Sequence, residues 1–134
     1  MGLIVDSSVF IESERKSRAI DLSRWRDYGQ VFLSVMTTSE LLVGVHRANT
    51  PERRVRRIAF VDAILAAIPS IPIDGEIARI HARLFADLLA RGQMIGAHDL
   101  WIAASALAND HAVLTANVSE FSRISELDVL HFGG

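Results

Sequence analysis

The chain has 134 residues, half of them hydrophobic, and a formal net charge of -2. A chain of this length and apolar content can form one hydrophobic core without disulfides or structural metals. The absence of cysteine excludes a disulfide framework, a thiolate zinc site and a cysteine nucleophile, and it fits a reducing cytoplasm. The opening apolar run ends at Asp6 after a few residues, so we expect neither a signal peptide nor a membrane helix.

The first half of the chain alternates predicted strands with predicted helices. Residues 2–6 form a continuous apolar run that indicates a buried strand, and a helix is expected from about Ser7. Residues 31–34 predict a second strand, residues 37–40 open the next helix, and Pro51 begins another. Strands that lead directly into helices are typical of parallel sheets.

The second half of the chain continues this alternation. Asp74 is predicted to cap a helix that ends near Gly92, and the Ala-rich residues 98–109 predict a further helix. The remaining predicted extended segments are residues 71–73, 112–115 and 128–131. Since no linker interrupts the pattern, we predict a single domain over residues 1–134, with an α/β fold in which a parallel sheet lies in a three-layer α/β/α sandwich.

Four polar side chains fall where such a sheet binds its ligands, beyond the carboxyl ends of the strands. Asp6 ends the first strand, Glu40 lies in the first turn of the helix after the second, Asp99 lies in the first turn of the Ala-rich helix, and Asn117 follows the strand at 112–115. We expect all four at one edge of the sheet. Taken singly, the three carboxylates also fit structural roles, as helix caps or as charges that complement a helix dipole.

Three carboxylates at one edge predict a metal site. Each close pair repels by about 4 kcal/mol at an effective dielectric of 20, a cost that a bound cation offsets. A set of oxygen ligands without cysteine or a paired-histidine motif suits Mg²⁺ or Mn²⁺ better than zinc. Asp6, Glu40 and Asp99 are therefore the predicted metal-binding residues.

Four segments of the chain resemble the signature blocks of PIN-domain nucleases, and the VapC-type toxins most of all. They are residues 3–11, 38–44, 95–104 and 113–121. The third block, with Asp99 in the pattern Gly-x-x-Asp-x-x-Ile-Ala-Ala, is the most specific. The resemblance implies a Rossmann-like, five-stranded parallel sheet and hydrolysis of RNA by a metal-activated water. It also implies that the protein is the endoribonuclease toxin of a type II toxin–antitoxin pair, neutralised by a small antitoxin encoded alongside.

The resemblance also implies a role for each site residue. Asp6 and Asp99 would bind the metal directly, and Glu40 would hold a metal-bound water or a second ion. Asn117 departs from the family pattern, since many members carry a carboxylate there; an amide still orients a water or a phosphate, and Glu120 nearby is a weak substitute. Thr115 and Ser7 are candidates to orient the carboxylates by hydrogen bonds.

An alternative function remains open from the sequence alone: a PIN-fold module that binds RNA or an antitoxin without cleavage. The arginines at 53–57 could guide RNA to the acidic edge or pair with an acidic antitoxin. His98, next to Asp99, is interpreted as an exposed residue without a catalytic role rather than as a proton shuttle. The high hydrophobic content predicts a homodimer and an apolar groove for an antitoxin helix.

Overall fold

The computed structural model describes residues 1–133 and contains a parallel five-stranded sheet of order β3-β2-β1-β4-β5. The strands are β1 (Gly2–Val5), β2 (Gln30–Ser34), β3 (Ser70–Ile71), β4 (His111–Thr115) and β5 (Val129–His131). The helices are α1 (Ser7–Arg15), α2 (Val35–His46), α3 (Pro51–Ala67), α4 (Gly75–Ala90), α5 (Ala97–Ala108) and α6 (Val118–Phe121). The predicted α/β class and parallel sheet are confirmed.

Alternating side chains of the central strands build one core on each face of the sheet. Ile4 and Val113 point into a cluster formed with α4 and α5. Leu3, Val5 and Leu114 point to the opposite face, where they pack against α1, α2 and α3. Because side chains alternate along a strand, the fully apolar β1 supplies both cores and is buried along its whole length. This arrangement is the predicted three-layer sandwich.

Helix α2 begins earlier than predicted. Ser34, the last residue of β2, caps it directly, since its Oγ accepts a hydrogen bond of 3.1 Å from the amide of Met36. The helix therefore starts at Val35, so the prediction that Glu40 lies in the first turn is wrong, and Glu40 lies one turn further on. A role for Glu40 in capping this helix is also wrong, because Ser34 supplies the cap.

Two short elements were not predicted from the sequence. One is a 3-10 helix at Ser23–Tyr28, none of whose residues is buried, and the other is the single turn α6. Neither is long enough to show a hydrophobic period. Helix α6 contains Glu120. None of the helices within residues 1–133 combines the length and the apolar character needed to span a bilayer.

Candidate metal centre

Asp6 lies where β1 passes into α1, and only 4% of its surface is exposed. Its Oδ2 accepts a hydrogen bond of 2.7 Å from the Ser8 hydroxyl and one of 2.9 Å from the Thr115 hydroxyl. Ser8 belongs to α1 and the fully buried Thr115 ends β4, so donors from two elements hold the carboxylate. Hydrogen bonds from α1 and β4 thus meet at one oxygen of Asp6, and Thr115 is in contact with the carboxylate that the sequence suggested it orients.

Glu40 reaches the same edge of the sheet from the second turn of α2. Its Oε2 accepts a hydrogen bond of 3.2 Å from the hydroxyl of Ser7, the other orienting residue suggested by the sequence. Its Oε1 is shielded from solvent and has no hydrogen-bond partner among residues 1–133. The imidazole Nδ1 of His98 lies 3.3 Å from this oxygen. One carboxylate oxygen of Glu40 is therefore hydrogen-bonded to Ser7, and the other lies close to the imidazole of His98.

Asp99 is the point where the carboxylates meet. It lies in the first turn of α5, as predicted. Burial, a hydrogen bond with Glu120 and the negative charges of Asp6, Glu120 and Glu40 together raise the pKa of Asp99 to about 8, with burial the largest cause. The carboxylates that the sequence placed at one edge of the sheet therefore act on one another in the structure. We call this group of Asp6, Glu40, Asp99 and Glu120 the acidic cluster.

Glu120 is the member of the acidic cluster that sequence reasoning ranked too low. Its Oε1 accepts a hydrogen bond of 3.1 Å from the backbone amide of Gly96, just before α5. A Cβ placed on Gly96 would lie 3.6 Å from Asp99 Oδ2 and 3.8 Å from Glu120 Oε2, so both carboxylates flank this backbone position. Glu120 follows Asn117 by three residues, which is nearly one helical turn. This spacing is the only sequence signal for the position of Glu120 near the site.

Asn117 lies at the margin of the acidic cluster. It precedes α6 with an exposed side chain, and its Oδ1 accepts a hydrogen bond of 3.0 Å from the Ser119 hydroxyl. Its backbone amide donates to Thr115 Oγ1 at 3.0 Å, so its main chain supports the residue that orients Asp6. A catalytic role for the Asn117 amide stays a prediction.

The donor chemistry of the acidic cluster fits a hard divalent cation. Every donor is a carboxylate oxygen, Glu40 Oε1 is buried without a hydrogen-bond partner, and burial among other carboxylates raises the pKa of Asp99. As the side chains are oriented, no three His, Asp or Glu residues within 1–133 converge on one ion-sized point. The carboxylates are instead hydrogen-bonded to hydroxyls and to each other, so binding of an ion requires side-chain rotation within an already assembled group.

The arginines of α3 make local contacts. Arg57 donates to Glu14 Oε2 at 3.2 Å and to the Gly44 carbonyl at 3.1 Å, which ties α3 to α1 and α2. Arg53 donates to Asn49 Oδ1 at 3.0 Å, and Arg54 donates to the Ala48 carbonyl at 3.2 Å. These three guanidinium groups therefore stabilise the start of α3 and its neighbours, and RNA guidance by this helix stays a prediction.

The chain is similar to known proteins over nearly its whole length. The profile of the PIN domain family matches residues 3–127. Ribonuclease VapC1 of Rickettsia felis is 37% identical over 130 residues, which is 97% of this chain and 96% of that protein. A solved structure of VapBC-5 from Mycobacterium tuberculosis is 29% identical with a TM-score of 0.81, covering 98% of this chain and all of that one.

A second solved structure extends the likeness of fold. VapBC2 from Rickettsia felis, bound to a DNA fragment from its promoter, has a TM-score of 0.84 at 21% identity and covers 98% of this chain and 99% of that one. The matches together span β1 to β5. The range that the family profile matches, residues 3–127, contains all four members of the acidic cluster. The chain therefore belongs to the PIN domain family and, within it, to the VapC ribonucleases.

Proposed function

We propose that the protein is a Mg²⁺- or Mn²⁺-dependent endoribonuclease and the toxin of a type II toxin–antitoxin pair, acting in the cytoplasm. The observation that carries the proposal is the acidic cluster, in which burial and the neighbouring carboxylates raise the pKa of Asp99 to about 8. A cluster of this kind is costly unless a cation offsets it. RNA as the substrate is supported by the relatives, which are ribonucleases by name.

The ion would be held by Asp6 and Asp99, with Glu40 and Glu120 beside it. Such an ion polarises a phosphodiester and makes a water molecule more acidic. The hydroxyls of Ser8 and Thr115 donate hydrogen bonds that would orient Asp6 towards the ion, and the Ser7 hydroxyl would do the same for Glu40.

Proton movement at the site falls to the carboxylates. To bind a cation, Asp99 would release to solvent the proton that its raised pKa lets it keep near neutral pH, since metal ligands must be deprotonated. Glu40 would orient the attacking water and receive its proton. No side-chain nucleophile is needed, and the three hydroxyls at the site, on Ser7, Ser8 and Thr115, are engaged with carboxylates.

Cleavage of RNA tests the nuclease proposal against the alternative of a binding module. Wild-type protein should cut RNA in the presence of Mg²⁺ or Mn²⁺ and stop in EDTA, and Asp99→Asn should lose at least about 100-fold in rate, since it removes a ligand charge at the metal. Asp62→Asn, which alters an exposed carboxylate on α3, is the matched control and should cut normally. Equal cleavage by the Asp99 variant, prepared in parallel, would contradict the proposal.

The antitoxin is proposed to occupy a groove between α1, α2 and α3. The groove has a volume of about 240 Å³ and ends at Ser7 and Glu40, beside the acidic cluster. Its apolar lining consists of Phe10, Ile11, Leu41, Phe60 and Val61. An amphipathic helix is the partner that such a groove fits, and its position would also block access to the cluster. Two solved structures of similar fold are, by name, a member of the VapBC family of toxin–antitoxin systems and a toxin–antitoxin complex.

A homodimer is proposed through the opposite side of the sandwich. Phe85 and Leu89 lie one helical turn apart on α4 with 45% and 62% of their surfaces exposed, which makes an apolar patch distinct from the groove. Two single substitutions separate the two surfaces. Ile11→Asp in the groove, where Ile11 is 47% exposed, should abolish binding of the small protein encoded alongside and leave the dimer intact.

Phe85→Asp is the matched substitution on α4. It should give a monomer by light scattering and keep antitoxin binding. If Ile11→Asp binds the antitoxin normally, the groove assignment is wrong; if wild-type protein is a monomer at micromolar concentration, the dimer is wrong.

A further inference from the structure

We propose that His98 is a positioning residue that fixes the carboxylate of Glu40 in the acidic cluster, an inference that rests on the proposed function. His98 is the second residue of α5, directly before Asp99. Its Nδ1 lies 3.3 Å from Glu40 Oε1, while the Ser7 hydroxyl binds Glu40 Oε2 at 3.2 Å. The two oxygens of one carboxylate are therefore approached from the starts of two different helices, α1 and α5.

The need for this contact comes from the environment of Glu40 Oε1. That oxygen is closed off from water and no described residue donates a hydrogen bond of full geometry to it. A buried carboxylate oxygen is stable only with a donor or a cation beside it. The imidazole is already in ion-pair range, so a small rotation about its side-chain bonds completes an Nδ1–H bond. A carboxylate oxygen has two lone pairs, so this bond still leaves one available towards the metal centre.

His98 itself is free to make this adjustment. Nearly half of its side chain, 48%, is exposed, whereas 29% of the Glu40 side chain is exposed. The imidazole is not part of either hydrophobic core, so its removal does not disturb packing. A change at His98 should therefore act on Glu40 rather than on the fold.

The metal-free protein offers a direct readout of this contact. The hydrogen bond made by one imidazole nitrogen determines which nitrogen carries the proton. In ¹⁵N spectra of wild-type protein at pH 8, His98 should carry its proton on Nδ1, and in Glu40→Ala the proton should move to Nε2. A proton on Nε2 in the wild type, or no change in Glu40→Ala, would overturn the proposal even if the protein proved not to bind metal.

Substitutions at His98 test the consequence for the metal site. His98→Ala should weaken Mn²⁺ binding by about 10-fold in calorimetry and lower kcat for RNA with little change in KM, as expected for loss of an orienting hydrogen bond. His98→Asn places an amide donor where Nδ1 lies, so it should recover Mn²⁺ affinity to within about 3-fold of wild type. His46→Ala, at an exposed histidine on α2, is the matched control and should match wild type.

The outcomes separate this inference from the proposed function. If wild-type protein binds Mn²⁺ and cuts RNA while His98→Ala does both equally well, the positioning role is wrong and the nuclease proposal stands. If His98→Ala raises KM with kcat unchanged, His98 contacts RNA directly and the proposal is overturned. If wild-type protein neither binds Mn²⁺ nor cuts RNA, the nuclease proposal fails, and the ¹⁵N measurement alone decides the role of His98.

Discussion

Replacing Asp99 by asparagine should stabilise the metal-free protein at alkaline pH, although Asp99 belongs to the site that performs the chemistry. The folded protein keeps the Asp99 proton up to about pH 8, whereas the unfolded chain loses it near 3.8. Between these values the folded state binds more protons than the unfolded state, so the free energy of unfolding falls as the pH rises. Asparagine has nothing to ionise and keeps the stability that the wild type loses.

The size of the effect follows from the pKa of Asp99. A rise from 3.8 to about 8 corresponds to at most about 6 kcal/mol, at 1.36 kcal/mol for each pH unit. Asp99 is partly open to solvent, which offsets most of this cost, so we expect about 2 kcal/mol at pH 8.5. For a chain of this length that amounts to about 7 °C in Tm.

Thermal unfolding in EDTA measures this difference. Asp99→Asn should melt about 7 °C above wild type at pH 8.5 and within about 2 °C of it at pH 5, where Asp99 is neutral in the folded protein and the wild type has lost less than about a third of this stability. The exposed-carboxylate variant Asp62→Asn should follow wild type at both pH values. An Asp99→Asn protein that melts at or below wild type at pH 8.5 would show that Asp99 is a structural group, and the electrostatic reasoning would be refuted.

Three further changes have defined outcomes. Thr115→Val removes one of two hydrogen-bond donors to Asp6 and should weaken Mn²⁺ binding about 10- to 100-fold in calorimetry. Thr115→Ser keeps the hydroxyl and should bind Mn²⁺ nearly as well as wild type. An equal loss of affinity in both variants would show that Thr115 acts through packing. Arg57→Met removes hydrogen bonds that join α3 to α1 and α2 and should cost about 1 kcal/mol in urea unfolding, and no loss would mean that these contacts are without net value. Burial lowers the pKa of His81 below 6.5, so the stability that its neutral form contributes is lost as the pH falls below that value. His81→Gln should therefore lose less Tm than wild type between pH 7 and pH 5. An equal loss of Tm in the two proteins would exclude His81 as a cause.

The position of the site was predictable because it depends on a general property of parallel sheets. Each strand ends at the same edge, so a residue directly after a strand or at the start of the following helix lies there whatever the details of packing. Asp6 satisfies this rule and lies where predicted. Asp99 lies in the first turn of α5, which leads into β4 and therefore begins at the edge where β4 ends. Glu40 reached the same edge although its helix starts earlier than predicted, because one extra turn shifts it along α2 without rotating it away from the site.

The fourth acidic residue was harder to predict because its position depends on a single helical turn. Asn117 comes two residues after the end of β4 and was predicted to be the next member of the set. Helix α6 has only four residues, too few for a hydrophobic period, yet it returns Glu120 to the amide of Gly96 and to Asp99. The contact of His98 with Glu40 was invisible for a similar reason, since it joins two helices through side-chain rotamers that no local pattern encodes.

The central claim is that the acidic cluster binds one or more divalent cations, and a crystal grown with Mn²⁺ tests it most directly. The anomalous difference map should show Mn²⁺ at the edge of the sheet, with oxygens of Asp6 and Asp99 within about 2.0–2.3 Å and Glu40 or Glu120 beside it. A map at saturating Mn²⁺ with no ion among these carboxylates, or with Mn²⁺ only elsewhere on the surface, would contradict the claim.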